Sequence, residues 1–252
     1  MSFRSRSGVT GVFYLPGFPK GVKWLLISNV GIFIVAFFLQ RAELDGFLRV
    51  LPLVPVQVVK GFYLWQLATY LFLHQGFFHI TLNMLWLWWF GADLESDWGT
   101  RKFLRYYFCC GIGAGICVVL ANYFLPWGDP GSRTIGSSGA IFGILLAYAV
   151  MYPTRTILWA FLIPIQVKYF VLIAGVASFM MSFNVNSGVS EFAHLGGMLF
   201  GYIFLKTPKM SLELDVIGPI RNPYRSWKLQ RAKKKFQVYL NKQGSPRDPT
   251  IH

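Results

Sequence analysis

The stretch TIGSSGAIFGILLAYAVMYP, residues 134–153, contains no charged side chain and places two serines and three glycines at the head of a long apolar run. Its composition predicts a helix over about 137–152, which Pro153 stops. The segment Gly136-Ser137-Ser138-Gly139 at the head of that helix has two open interpretations. It is either a close-packing face for neighbouring helices or the position of a serine that does chemistry inside a membrane.

The composition of the whole chain predicts a protein solvated by lipid. Of its 252 residues, 54% are hydrophobic and 13% are charged, whereas soluble domains carry about 25% charged residues. Since a helix needs about 20 mostly apolar residues to cross the hydrocarbon, we expect an all-α, polytopic bundle of six transmembrane helices. The charge-free stretches that predict these spans are residues 24–40, 61–92, 106–128, 134–154, 169–190 and 192–205.

The chain divides into three predicted regions. Residues 1–21 are expected to form a cytoplasmic N-terminal segment, residues 22–206 a six-helix membrane domain and residues 207–252 a basic cytoplasmic tail. Between the first two spans, residues 42–77 are expected to form a large outer loop that lies partly in the membrane interface. Residues 156–167 are too few to cross the membrane, so they are predicted to be an interfacial or loop segment.

The positive charges predict the orientation. With six spans both termini share one side, which holds twenty of the 24 Lys and Arg residues; the other side holds Arg41, Arg49, Lys60 and Arg133. The positive-inside rule puts the basic side in the cytoplasm. The basic tail is then expected to bind anionic lipid. RNA is an alternative ligand for its positive charges, but few aromatic residues accompany those charges to stack on bases. A short N-terminus without an Arg/Ser-rich transit pattern favours a bacterial inner membrane.

Polar residues inside the predicted spans converge on one depth. His79 and Asn83 lie near the start of the second span, Ser137 and Ser138 at the start of the fourth, and His194 near the start of the sixth. All three spans begin on the extracytoplasmic side in the predicted topology. Because polar groups inside a membrane are costly, each of them is a functional candidate.

The fourth span is short for a membrane helix. From Ser137 to Met151 it covers about 22 Å at 1.5 Å per residue, whereas the hydrocarbon core is about 30 Å thick. The helix is therefore expected to begin below the outer surface. Irregular polar backbone at that depth is tolerated only along protein or a water-filled cavity, so we predict a cavity that brings water to the serines.

Small residues predict how the fourth and sixth spans pack. Gly139 and Gly143 form a GxxxG pattern, and Ala193, Gly197 and Gly201 form a small-xxx-small ladder. Such faces let helix backbones approach closely. The two spans run parallel in the predicted topology, so this packing is expected to bring the levels of Ser138 and His194 together.

These residues can form a nucleophilic site. A serine is activated when a histidine within hydrogen-bond reach takes its proton, and the backbone N–H groups at a helix start can hold an oxyanion. His79 and Asn83 share one helix face and are candidate side-chain donors to the same oxyanion. Each residue also has a structural interpretation, as a packing serine or a satisfied interior histidine.

Glu191 and His74 are two other ionisable residues close in sequence to these candidates. Glu191 lies three residues before His194, where it either faces the imidazole or caps the helix start; we favour a Ser–His dyad without it. His74 is interpreted as structural, in the outer loop.

Three motifs in order resemble the rhomboid family of intramembrane serine proteases over about residues 22–206: HITLN at 79–83, GSSG at 136–139 and AHLGG at 193–197. The resemblance assigns Ser138, rather than Ser137, as nucleophile and His194 as base. It implies oxyanion contacts from His79, Asn83 and the Ser138 backbone N–H. It also implies single-span membrane substrates, a gate made by the fifth span and the outer loop, and no metal or cofactor.

Two positions depart from the family pattern. Gln66 stands where members often have Arg after Trp, which predicts that a loop-fixing contact is missing. Phe142 stands where some members have Tyr; its ring is expected to pack on His194 without a hydroxyl.

Two other functions compete with proteolysis. A catalytically inactive rhomboid-like protein would bind and route membrane clients, but inactive members lose the serine or the histidine, and both are present here. A transporter would use the polar cavity, but the third and fifth spans carry no ionisable residue at mid-depth to relay ions.

Overall fold

The computed structural model describes residues 16–44, 46–159, 163–183, 188–207 and Arg231. The chain divides into two compact units, Met1–Ser211 and Leu212–His252. Apart from Arg231, the described residues belong to the first unit. The predicted basic tail thus lies outside the described residues except at Thr207 and Arg231.

The described part of the chain is mostly helical. The helices are α1 Lys20–Arg41, α2 Pro55–Gly61, α3 Gln66–Thr69, α4 Phe77–Trp98, α5 Thr100–Phe124, α6 Ser138–Met151, α7 Val167–Met181 and α8 Gly188–Lys206. Six of these described helices have fourteen or more residues, and each of them overlaps one of the six charge-free stretches. Short 3₁₀ turns at Gly46–Val50 and Tyr70–Phe72 interrupt the loop between α1 and α4.

Among the described residues, two helices are long and apolar enough to cross a membrane by length and composition, α1 and α5. Helices α6 and α7 are apolar but have fewer than eighteen residues. The prediction of a mostly helical fold is confirmed, and the prediction that six helices span the membrane stays a prediction.

Helix α6 lies at the centre of the bundle. Eight of its residues are buried, from Gly139 to Tyr148, and it packs on α4, α5, α7 and α8. A helix that is apolar on all faces belongs in an interior. The hydroxyl of Tyr106 on α5 donates a hydrogen bond to the Gly143 carbonyl at 2.6 Å, which ties α5 to the middle of α6.

The connection from α6 to α7 is a β-hairpin. Strands β1 Thr156–Trp159 and β2 Ile163–Gln166 pair antiparallel, with Thr156 opposite Gln166. Just before β1, the Arg155 guanidinium binds the Asp93 carboxylate and the Tyr148 hydroxyl. The segment expected not to span the membrane, at 156–167, therefore contains two paired strands among its described residues.

The loop between α1 and α4 is held by Gln66. Its buried side chain accepts a hydrogen bond from the Val54 backbone N–H at 3.0 Å and donates to the Val50 carbonyl at 3.1 Å and to Gln57 Oε1 at 2.6 Å. The loop therefore lacks the bidentate contact of an arginine, and Gln66 fixes it with these three hydrogen bonds instead. An amide both donates and accepts, so Gln66 joins three points of the loop by itself.

The same loop is tied to the segment that leads into α6. Leu53 and Thr134 exchange two backbone hydrogen bonds, of 3.0 and 2.9 Å, and the Val56 N–H donates to the Pro130 carbonyl at 2.8 Å. Because of these bonds, the position at which α6 begins depends on the loop between α1 and α4.

The start of α1 is capped by another helix. The buried Glu95 carboxylate of α4 accepts hydrogen bonds from the backbone N–H groups of Gly21 and Val22, both at 2.7 Å, and from the Thr100 hydroxyl at 2.5 Å. The first N–H groups of a helix have no partner within the helix. Glu95 supplies one and thereby joins α1, α4 and α5.

Candidate active site

The segment before α6 makes a sharp turn at Gly136. This residue has φ +119°, a conformation that favours glycine, and its N–H donates to the Tyr70 carbonyl at 2.9 Å. A Cβ at this position would lie 2.9 Å from two ring atoms of His79. Glycine is therefore required both by the turn and by the close approach of the histidine.

Ser138 is the first residue of α6, and its side chain meets His194 of α8. Ser138 Oγ lies 2.9 Å from His194 Nε2. Both side chains are partly buried. The two residues that were predicted to meet are 56 positions apart in the sequence and within hydrogen-bond distance in the structure.

Glycines at the α6–α8 contact make this approach possible. A Cβ on Gly197 would overlap the carbonyl oxygen of Gly139, and a Cβ on Gly139 would lie 2.9 Å from the Ala193 carbonyl oxygen. A Cβ on Gly143 would lie 3.0 Å from the Gly197 carbonyl oxygen. Further along α8, Gly201 adjoins the Tyr106 hydroxyl of α5. The two helices thus touch along their backbones, as small-residue faces allow.

The other ring nitrogen of His194 has two partners. Nδ1 lies 2.9 Å from Glu191 Oε2, one turn earlier on α8, and 3.3 Å from the Ser178 hydroxyl of α7. The Phe142 ring stacks on the imidazole with centroids 4.1 Å apart and planes 5° apart. The expected packing of Phe142 on His194 is confirmed.

His79 lies against the turn that precedes α6, and Asn83 follows it one turn later on α4. The His79 ring adjoins Gly136 and meets His74 edge to face, with centroids 5.1 Å apart. The buried Asn83 side chain donates one N–H to the His79 carbonyl at 2.8 Å. An amide nitrogen carries two N–H groups, so Asn83 has a second N–H besides the one that binds the His79 carbonyl.

Ser137 faces a different histidine from Ser138. It is fully buried, and its Oγ lies 3.4 Å from His74 Nε2. Burial, and after it the neighbouring His79, lowers the pKa of His74 from 6.5 to about 4. A lowered pKa makes His74 a weaker base than an ordinary histidine, so it is less suited to take the proton of Ser137.

Two adjoining grooves border the segment that precedes α6. Their volumes are about 420 and 790 Å³, and both are lined by Phe33 of α1, His74, Arg133 and Ile135. Ser138 and His194 line neither of them. Both grooves reach Ile135, three residues before Ser138, and a cavity that brings water to the serines stays a prediction.

Two contacts of this site were missed in the sequence or left undecided. Ser178 was not a candidate; a small polar residue in the otherwise apolar run of α7 is the signal that could have identified it. The alternatives for Glu191 were a cap and a contact with His194, and its carboxylate lies against His194.

Comparison with known proteins gives one family. A model of the rhomboid domain matches residues 61–207. The chain is 28% identical over 201 residues to Rhomboid-like protease 3 of Toxoplasma gondii, covering 78% of this chain and 72% of that protein. It is 30% identical over 190 residues to RHOMBOID-like protein 1 of Arabidopsis thaliana, covering 72% and 44%. It is 30% identical over 141 residues to Rhomboid protein 1, mitochondrial, of Saccharomyces cerevisiae, covering 53% and 38%. The chain thus spans less than half of the last two relatives.

Proposed function

Because this chain belongs to the rhomboid family, we propose that it is an intramembrane serine endopeptidase. It hydrolyses peptide bonds in or near the transmembrane helix of single-span membrane proteins, and it uses no metal ion or cofactor. The observation that carries the proposal is the 2.9 Å contact between Ser138 Oγ and His194 Nε2. Nucleophilic catalysis by serine needs a base at this distance.

The reaction follows from these two side chains. His194 Nε2 takes the proton of Ser138 while Oγ forms a bond to the scissile carbonyl carbon, whose oxygen becomes an oxyanion. The imidazolium then gives its proton to the leaving amine as the C–N bond breaks, and water hydrolyses the acyl group on Ser138. The parallel ring of Phe142 limits His194 to one plane during both transfers.

The oxyanion is assigned to donors at the start of α6. The Ser138 backbone N–H is the first of the helix, where unpaired N–H groups and the positive end of the helix dipole meet. His79 and the second N–H of Asn83 are the proposed side-chain donors. Loss of one such donor costs about 3–4 kcal/mol of transition-state stabilisation in other serine enzymes.

The membrane setting completes the proposal. The protein is an integral membrane protein, as its family indicates. In the proposal the six long helices span the bilayer, both termini are cytoplasmic, and the basic tail from residue 207 lies on anionic lipid. Substrates enter past α7 and the loop at 42–77. Some relatives have names that place them in mitochondria or chloroplasts. The bacterial inner membrane is therefore proposed from the sequence alone.

The test uses purified protein in detergent with a fluorescent single-span substrate. Ser138→Ala is expected to abolish cleavage and labelling by a fluorophosphonate, because both reactions need Oγ. Ser137→Ala is the matched control and is expected to keep both, since its hydroxyl faces His74. Equal cleavage by wild type and Ser138→Ala would refute the proposal. A folded wild type that is neither labelled nor active would favour the client-binding alternative.

A further inference from the structure

The contact between Glu191 and His194 joins an acid to the base of the proposed site. Glu191 Oε2 lies 2.9 Å from His194 Nδ1, and the two side chains are 14% and 19% exposed. Both belong to α8, one turn apart. In a site with so little water, a hydrogen bond to a charged group is stronger than at a surface.

This acid is itself held in place from α7. The Ser178 hydroxyl interacts with Glu191 and also approaches His194 Nδ1 at 3.3 Å. Ser178 is buried on a helix whose other buried residues are apolar. The carboxylate is therefore fixed from two helices, whereas an acid that served only the helix start would need neither contact.

The chemistry of imidazole gives this contact a direction. A neutral imidazole has one N–H donor and one acceptor, and a carboxylate can only accept. The contact with Glu191 therefore places the proton on Nδ1, which leaves Nε2 as an acceptor facing Ser138.

We infer that Glu191 is a positioning residue, which holds His194 in the Nδ1–H tautomer and orients it toward Ser138. The two reacting side chains are still Ser138 and His194, and Glu191 acts on the reaction only through the imidazole. The carboxylate also opposes the positive charge that forms on the imidazole when Nε2 takes the serine proton. The catalytic part of this inference rests on the proposed function, while the tautomer is a property of the resting protein.

A first experiment reads the tautomer without a substrate. The full chain is labelled with ¹⁵N-histidine in detergent, and His194 is assigned by comparison with His194→Gln. The wild type is expected to show the Nδ1–H pattern, and Glu191→Leu a mixture of the two tautomers. The same Nδ1–H pattern in Glu191→Leu would overturn the inference and assign the tautomer to Ser178.

A second experiment separates positioning from a structural role. Glu191→Gln is expected to lower kcat about 10–1,000-fold with KM within threefold, less than the roughly 10⁴-fold loss for an amide in a fully buried triad. Glu191→Asp keeps the charge and is expected to recover part of kcat. Ser178→Ala, which removes the longer contact, is expected to lose less than Glu191→Gln.

Thermal unfolding of each variant serves as the folding control. A Glu191→Gln variant that keeps kcat within twofold overturns the inference, as does one that loses kcat only in proportion to folded protein. If the wild type cleaves nothing, the proposed function fails, and the tautomer measurement still decides the role of Glu191.

Discussion

At the scale of single residues, the imidazole of His194 is held by three helices. Nε2 faces Ser138 of α6, Nδ1 faces Glu191 of α8 and Ser178 of α7, and the Phe142 ring covers one face. A base that is already oriented needs no rearrangement at the moment of reaction, which can supply a large part of a rate enhancement. In our proposal the ring is therefore close to its working position before substrate binds.

His74 gives a prediction on pH and stability. Its pKa is lowered to about 4 in the folded protein, against 6.5 ordinarily, because it is buried and adjoins His79. Between those values the unfolded chain binds a proton that folded His74 does not, so stability falls as pH falls from 6.5 toward 4. We expect the melting temperature to drop over this window, and His74→Gln to reduce the drop.

The comparison is the slope of melting temperature against pH in detergent, for the wild type and His74→Gln side by side. Other groups that titrate in both proteins cancel in the difference. Identical slopes would mean that His74 takes no part in the pH dependence.

At the scale of elements, the contact between α6 and α8 determines the distance between Ser138 and His194. A Cβ on Gly197 would overlap the Gly139 carbonyl oxygen, so Gly197→Ala must push the helices apart. We expect a destabilisation of about 1–3 kcal/mol. Activity is expected to fall about 100-fold, as for a displacement of about 1 Å in other active sites.

Gly31→Ala is the control for this substitution. Gly31 lies in α1 with nothing within 4 Å of an added Cβ, and alanine there should leave cleavage unchanged. Cleavage assays and thermal unfolding are run on both variants. Full activity in Gly197→Ala would show that the backbone contact is not needed to bring Ser138 to His194.

The cap on α1 gives a second prediction for the elements. Glu95 is 2% exposed and accepts three hydrogen bonds, two of them from the start of α1. Glu95→Gln places an N–H₂ group among these donors, and we expect a loss of about 1.5–3 kcal/mol. Glu43→Gln, an exposed acid, is the control and should change stability by less than about 0.5 kcal/mol. A Glu95→Gln variant as stable as the wild type would show that the Glu95 carboxylate does not stabilise the start of α1.

The sequence predicted helices better than loops, for a physical reason. Apolar runs and Pro153 located α6 to within a residue at each end, because helices depend on local composition. The partners of Gln66 lie 9, 12 and 16 positions away, and β1 pairs with residues up to ten positions away, so neither arrangement follows from the composition of a single helix. The prediction for Gln66 considered only the lost arginine contact. It did not consider that an amide can both donate and accept hydrogen bonds.

At the scale of the whole molecule, the proposed orientation can be tested by labelling. Leu44 follows α1 and Thr154 follows α6, and both are exposed. With both termini in the cytoplasm, these positions lie on opposite sides of the membrane. We expect a membrane-impermeant maleimide to label Leu44→Cys in intact cells and Thr154→Cys only after lysis. The unmodified protein corrects for its three cysteines, and the reverse labelling pattern would invert the topology.

The arrangement of the site as a whole was partly accessible from the sequence. The alternation of spans placed Ser138, His194, His79 and Asn83 at one depth, and the structure brings Ser138 and His194 to 2.9 Å. Depth alone does not give direction around a helix axis. For that reason, three contacts could be seen only in the tertiary structure. They are those of Glu191 and Ser178 with His194 Nδ1 and that of His74 with Ser137.

The enclosed position of α6 bears on how freely different parts of this protein can change over evolution. Its side chains fill a space bounded by α4, α5, α7 and α8, so a substitution there must conserve volume as well as polarity. Helix α7 instead buries only four residues and exposes apolar side chains such as Leu172, Val176 and Met180. Lipid discriminates little between one apolar side chain and another. Homologous sequences should therefore diverge fastest on the outer face of α7 and slowest along α6.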